Sequence, residues 1–339
     1  MTDVQISEFS RDQVAEAVPL LQQIDTERVP EDPVLPTAAY VRRLTVLPPD
    51  VRQFFWGARD AQGTLVGVAF AELPDRENLQ MAFGIVMVAP GARRRGTGRS
   101  LARTLTERVK QEGRILIATQ TSDRVPSGVA FATALGAAPG LEGHTNQLDI
   151  AALDAAMIRR AIEAARQKAA GYRLEWIDWS AADEATLARV ATAYEAINDM
   201  PKGDLPFEME KWDAERVRKR NEFQAKVGTE VWTVIAIHDA SGEPVGFTEL
   251  NFNPDKPEIA QQQGTAVTPA HRGHALGMWL KADVLERLLR DKPKTRFIRT
   301  GNAKVNEAML RINTELGFRP AWSETIWQVP LATLEQHLG

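Results

Sequence analysis

The sequence predicts a mixed α/β fold built twice in tandem. A set of short landmarks recurs in the same order at a nearly fixed spacing. In each half, strand signals cluster first and alternate with helical stripes later, the pattern of a mixed sheet covered by helices. Over 339 residues the composition is 44% hydrophobic and 25% charged, which supplies apolar material for two cores.

The repeat is carried by its spacing rather than by any single match. Asp60-Ala61-Gln62-Gly63 is echoed by Asp239-Ala240-Ser241-Gly242, 179 residues on, and Val66-Gly67 by Val245-Gly246 at the same offset. Val88-Ala89-Pro90 matches Val267-Thr268-Pro269, again at 179. Arg95-Gly96 matches Arg272-Gly273 at 177, and Leu135-Gly136 matches Leu316-Gly317 at 181. Turn dipeptides recur everywhere, but not in a fixed order at a constant interval. Between the copies, residues 151–170 read as an amphipathic helix, with Leu153, Met157, Ala161 and Ala165 on one face and Arg159, Arg160, Glu163 and Arg166 on the other, stopped by Gly171. The expected organisation is one domain over 1–150, a linker helix over 151–171, and a second domain over 172–339.

Each copy opens with an amphipathic helix, marked by Val14, Val18 and Leu21 or by Leu187, Val190 and Tyr194. A hairpin follows. Phe54–Arg59 and Thr64–Glu72 flank one turn, Trp232–His238 and Pro244–Phe252 the other, and each turn has a glycine for a positive-φ position. A third strand ends at Val88 or Val267 and leads through a basic glycine loop into a helix striped by Leu101, Leu105 and Val109, or by Leu276, Leu280, Val284 and Leu288. A buried strand comes next, Arg114–Thr119 or Arg296–Thr300. A short helix then ends at Gly136 or Gly317 as its C-cap.

The bulk numbers exclude several classes. A net charge of −4 argues against a nucleic-acid partner. With no cysteine there is no disulfide framework, thiolate metal site or cysteine nucleophile. Five histidines, none in H-x-x-x-H spacing, give little support for a metal. No apolar run reaches the ~18 residues of a membrane span, and the polar N-terminal segment has no signal-peptide core, so a cytoplasmic protein without a membrane partner is expected.

Strand, basic glycine loop, helix is an anion-binding arrangement: the helix N-terminus offers unpaired N–H groups, and glycine lets backbone approach the anion. The first loop runs Val88 to Ser100 through Arg93, Arg94, Arg95, Gly96, Thr97, Gly98 and Arg99. The second runs Val267 to Gly277 through His271, Arg272, Gly273, His274, Ala275 and Leu276. Neither ends in the Gly-Lys-Ser/Thr of a nucleotide-binding P-loop, and neither has the G-x-G-x-x-G of a dinucleotide fold.

Strand-V-x-P followed by Arg93-x-x-Gly96-x-Gly98 resembles motif A of the GNAT superfamily of acyl-CoA-dependent N-acyltransferases. In the second copy the resemblance is read at Ala270-x-x-Gly273-x-Ala275, without the basic first residue and with Gly277 displaced. It covers nearly the whole chain twice, as in tandem GNAT proteins. It implies acetyl-CoA or another acyl-CoA as cosubstrate, held at its pyrophosphate by loop N–H groups, with the pantetheine between strands that splay open at Met87-Val88 and Ala266-Val267. It also implies a small-molecule amine as acceptor. The alternative is an acyl-CoA-binding or sensing protein without turnover.

The copies differ. The first carries four loop arginines but few groups suited to acid–base work. The second follows its buried strand with Asn302 and Asn306, which resemble the family's motif B, although Asn306 equally suits a helix cap. The tyrosine the family often places four residues before the Leu-Gly glycine is replaced by Ala132 and Asn313. Glu249 is the candidate general base, with Glu72 its loose counterpart, and His271 and His274 are alternatives that also suit phosphate contact. The expectation is that the first copy holds acyl-CoA tightly, as a structural ligand, while the second performs transfer, with segment 198–212 near the amine.

Overall fold

The structure is a computed structural model and describes residues 4–339, so the first three residues of the polar N-terminal segment lie outside the described residues. The first half of the chain runs β1 (Gln5–Glu8), α1 (Val18–Arg28), α2 (Thr37–Thr45), β2 (Val51–Arg59), β3 (Leu65–Pro74), β4 (Met81–Val88), α3 (Thr97–Gln111), β5 (Leu116–Ser122), α4 (Pro126–Ala134) and β6 (Ala138–Asp149). The second half runs α5 (Ala155–Lys168), β7 (Tyr172–Trp176), α6 (Glu184–Tyr194), α7 (Ala214–Lys226), β8 (Glu230–His238), β9 (Pro244–Phe252), β10 (Ile259–Val267), α8 (Leu276–Asp291), β11 (Phe297–Ala303), α9 (Glu307–Glu315), β12 (Arg319–Pro330) and α10 (Leu331–Leu338). No helix among the described residues is long and apolar enough to cross a membrane.

Two compact units form, and they do not follow the two halves of the sequence. Among the described residues the first comprises 4–142, Gly203–Glu208 and Trp322–Gly339; the second comprises Gly143–Lys202 and Met209–Ala321. In the first unit the strand order is β1-β2-β3-β4-β5, and the sixth strand, beside β5, comes from the end of the chain, with Glu324 opposite Ser122 and Pro330 opposite Leu116. In the second unit the order β7-β8-β9-β10-β11 is completed by residues of β6, with Asp149 opposite Phe297 and Gly143 opposite Ala303. Each unit therefore takes its last strand from the opposite half of the chain. Residues 143–150, expected to end the first domain, belong to the second unit, and 322–339 belong to the first.

Both sheets are antiparallel except for one pair, β4 with β5 and β10 with β11, where a helix supplies the parallel crossover. Period-two alternation gives each sheet two buried faces. In the first unit Trp56 and Ala58 pack with Leu101, Leu105 and Leu334, while Phe55 on the other face packs with Val18, Leu21 and Tyr40. In the second, Val234 and Ala236 pack with Ile158, Leu280 and Leu288, and Ile235 and Ile237 with Val190, Tyr194 and Val217. Helix α5 is thus part of the second unit's core. Its buried residues are Ile158, Ile162 and Ala165, with Met157 and Ala161, and Leu153 just before the helix, only partly buried, so the covered stripe keeps Ala165 of the expected face and otherwise lies one residue beyond it.

Candidate functional site

Both hairpins form as the turn signals require, with Gly63 at φ 79° and Gly242 at φ 70°. They place β4 and β10 beside β5 and β11, and there both sheets open. The β4–β5 ladder stops at Phe83 opposite Ala118, and the β10–β11 ladder at Gln261 opposite Arg299. Met87 and Val88 stay paired to β3, and Ala266 and Val267 to β9, so their other backbone edge faces a gap between splayed strands. The gap in each unit leads to a loop at a helix N-terminus.

The two loops superpose residue for residue in backbone conformation, and this changes the register read from sequence. Arg93 (φ −67°, ψ 161°) corresponds to Arg272 (φ −73°, ψ 163°). Each guanidinium bonds the carbonyl that ends its strand, Arg93 Nε to Val88 O at 3.0 Å and Arg272 Nε to Val267 O at 3.1 Å. Positive φ then occurs at Arg94 (62°) and Gly273 (87°), and again at Gly96 (92°) and Ala275 (58°). The second motif is therefore Arg272-x-x-Ala275-x-Gly277, basic first residue included, at the same 179-residue offset as the hairpins. Aligning Arg95-Gly96 with Arg272-Gly273 matched residue names but not conformations.

Four arginines around the first loop do not make four anion ligands. Arg93 is held in a two-pronged ion pair by Glu27, 2.6 Å on one side, and its counterpart Arg272 pairs with Asp199 through a single nitrogen, Nη2. Arg99 donates to the His337 carbonyl. Arg94 and Arg95 remain exposed at the loop. Thr97 and Leu276 are buried, so they serve the loop only through backbone. The first intrahelical bonds are Ser100 N–H to Gly96 O and Trp279 N–H to Ala275 O, both 3.0 Å, which leaves the N–H groups before Ser100 and Trp279 in each first turn without an intrahelical partner. Gly98 and Gly277 let the helices come close to their neighbours: an added Cβ would lie 3.4 Å from the Phe131 ring or 3.1 Å from Ile312 Cδ1. These donors, aimed from a helix N-terminus beside a gap between strands, fit a pyrophosphate with an extended tail. Alanine in the left-handed region costs about 1 kcal/mol. Ala275→Gly is accordingly expected to stabilise the second unit by about 0.5–1 kcal/mol in chemical denaturation, and a lower midpoint would contradict this account.

The strands differ at the gap. From Gly67 opposite Val88 to Glu72 opposite Phe83 the β3–β4 register is continuous, whereas β10 has a β-bulge between Gln262 and Thr265. Bulges re-aim side chains and are frequent beside active sites. Opposite this bulge, Glu249 is 1% exposed. Its carboxylate accepts from Arg220 at 2.5 and 2.9 Å and from the Tyr194 hydroxyl at 2.6 Å. Both oxygens are thus engaged by fixed donors, an arrangement that orients neighbours more readily than it accepts a proton from an incoming amine. Burial, with the Glu249 charge beside it, pushes the Tyr194 hydroxyl far above the usual tyrosine range. Glu72 aligns with Asn251 rather than Glu249. Burial raises its carboxyl above the usual carboxylate range, partly offset by the Gln53 amide at 2.9 Å.

Asn306 caps α9, its Oδ1 accepting from Met309 N–H at 3.3 Å. Asn302 is buried beyond the end of the β10–β11 ladder, and its Oδ1 accepts from Asn313 at 2.7 Å and Asn146 at 3.1 Å. His271 is tied at 2.9 Å to the Tyr172 hydroxyl, and the His238 and His274 rings each lie 5.2 Å from the Tyr172 ring. Sequence reasoning missed Arg220, Tyr194 and Tyr172 as site residues. Of segment 198–212, Gly203–Glu208 belongs to the first unit, where Phe207 lies 5.9 Å from Phe83. Among the described residues no His, Asp and Glu cluster could hold a metal ion.

Residues 20–136 and 194–318 each match the acetyltransferase (GNAT) family. No curated protein matches the chain significantly in sequence. Among solved structures, the chain is similar to a tandem GNAT protein from the clavulanic acid biosynthesis pathway, at 24% identity and TM-score 0.77, covering 97% of this chain and 99% of that one. It is also similar to a GCN5-related N-acetyltransferase from Sphaerobacter thermophilus, at 12% identity and TM-score 0.67 over 97% and 96% of the two chains. A third is the GCN5-related glucosamine N-acetyltransferase region of a fungal multi-domain β-N-acetylglucosaminidase, at 13% identity and TM-score 0.69 over 97% of this chain and 38% of that one. With its splayed strands and glycine loops each built twice, and with both halves matched, the chain belongs to the GNAT acetyltransferase family.

Proposed function

We propose that the protein is an acyl-CoA-dependent N-acyltransferase in which the first unit retains one acyl-CoA and the second transfers the acyl group to a small-molecule amine. The duplicated loop carries this reading: one conformation, one arginine tether and one strand gap occur in both units. Acyl-CoA supplies the acyl group as a thioester. The N–H groups from Arg94 to Arg99 and from Gly273 to Met278 hold the pyrophosphate, and strand-end backbone at Met87-Val88 and Ala266-Val267 meets the tail. The bulged β10 and its polar surroundings support the second unit as the transferring one. There Glu249 acts as a positioning residue that fixes Tyr194 and Arg220, Asn302 orders the strand gap, and Asn306 orders α9. Likeness to a protein of clavulanic acid biosynthesis motivates an acceptor from antibiotic or other secondary metabolism.

The test separates the units. Gly96→Val and Gly273→Val each force a β-branched residue into a left-handed position. Gly96→Val is expected to abolish retention of acyl-CoA in native mass spectrometry, and Gly273→Val to lower amine-dependent CoA release at least about tenfold, the effect of losing ~1.4 kcal/mol of binding to the transition state. Loss of turnover from Gly96→Val alone, with the fold intact, would reverse the assignment. Ala132 and Asn313, neither able to donate a proton as an acid, favour a second reading, a non-catalytic acyl-CoA binder. CoA release that no amine in a broad panel accelerates would establish that reading.

A further inference from the structure

In the first unit the gap between β4 and β5 continues inward as an apolar cavity of about 110 Å³, walled by the strands, α3 and α4. It begins at Gly84, the first β4 residue past the ladder, and three of its lining positions are Ala102, Ala132 and Ala137. A side chain at Gly84 would close part of it, since an added Cβ would lie 3.0 Å from Ile117 and 3.2 Å from Leu105.

The second unit has the same framework and different contents. At the helix offset of 179, Ala102 corresponds to Lys281, and at the later offset of 181, Ala132 and Ala137 correspond to Asn313 and Phe318. All three replacements are buried. Lys281 Nζ sits 4.9 Å from the Phe318 ring centroid, and Asn313 is bonded to Asn302, the counterpart of the lining residue Thr121. Where the first unit has three methyl groups and a void, the second has three large buried side chains, Lys281 against the Phe318 ring and Asn313 bonded to Asn302.

We infer that the two units select different acyl groups: the first takes an acyl chain longer than acetyl into its cavity, while Lys281, Asn313 and Phe318 confine the second to a short one. The inference rests on the reading that both loops bind acyl-CoA. A chain laid in the first gap passes the mouth of the cavity at Gly84, and each methylene it buries tightens binding by about fourfold. An acyl group held this way lies in the core of its own unit, which suits a retained ligand.

The experiment is calorimetry and native mass spectrometry of the full chain with acetyl-, butyryl- and hexanoyl-CoA. The expected result is one hexanoyl-CoA per chain, bound at least about tenfold tighter than acetyl-CoA, and a second site that takes acetyl-CoA only. Ala137→Phe, which places the second unit's residue in the first, is expected to remove the hexanoyl preference and leave acetyl-CoA binding, and Ala102→Leu is expected to do the same. Equal affinities across the wild-type series, or hexanoyl-CoA filling both sites, would overturn the inference, as would a preference that survives in a folded variant. The wild-type series decides by itself should both variants fail to fold. Failure of acetyl-CoA to bind at all would instead overturn the acyl-CoA reading beneath it.

Discussion

Lys281→Met is expected to stabilise the second unit, most at neutral and acidic pH and not at all in strong base. Lys281 is 1% exposed on α8, and no carboxylate forms a salt bridge with it among the described residues. Burial lowers its ammonium pKa from the usual 10.5 to about 7. Between those values the unfolded chain holds a proton that the folded one does not, so stability rises with pH across that window. Below pH 7 both states are protonated and the full cost remains, on the order of 5 kcal/mol for a shift of this size; above 10.5 it vanishes. Methionine keeps a flexible chain against the Phe318 ring and removes the ionisable group. Urea denaturation at about pH 6.5 and pH 9.5 checks the account: the gain must shrink at the higher pH. An equal gain at both would mean that the gain does not come from removing the ammonium, and no gain would mean that the Phe318 ring, 4.9 Å from Nζ, offsets its burial.

The second large effect is a loss. Arg220→Met leaves the Glu249 carboxylate buried with only uncharged donors, and removing one member of a buried pair costs roughly 3–5 kcal/mol. Glu249→Gln in the same chain is expected to recover much of this, because a neutral amide can still accept from the Tyr194 hydroxyl. A double-mutant cycle in chemical denaturation measures the coupling. Additive single effects would show that the pair is not coupled and that Glu249 is held by other means.

Much of this architecture is legible in the sequence because it rests on local signals. Asp60–Gly63 and Asp239–Gly242 specify their turns, Leu101, Leu105 and Val109 mark a buried helix face, and Gly136 and Gly317 end their helices at φ 73° and 95°. The loop register was not legible, because the residue entering the left-handed region first is arginine in one copy and glycine in the other, and an arginine there leaves no mark in a sequence. Helices α2 and α7 were missed: α7 buries only Val217, too little to make a stripe. Glu249 read as a lone carboxylate because its partners lie 29 and 55 residues away on α7 and α6. The origin of each sixth strand was hidden for a related reason. A strand's own pattern says which side chains face inward, not which distant neighbour it pairs with.

The exchanged strands have a consequence for how the molecule is made. During synthesis the first unit cannot close when its own half of the sequence leaves the ribosome, because β5 waits for residues 322–330. Until they arrive, β5 is an open edge bearing Ile117 and Ala118, the kind of template on which strands from other chains add. Nor can either copy be cut away to leave a finished unit behind. A gene duplication usually yields two modules that evolution can lose, swap or retire one at a time; here each module lends the other its final strand, so the two are inherited, folded and lost together.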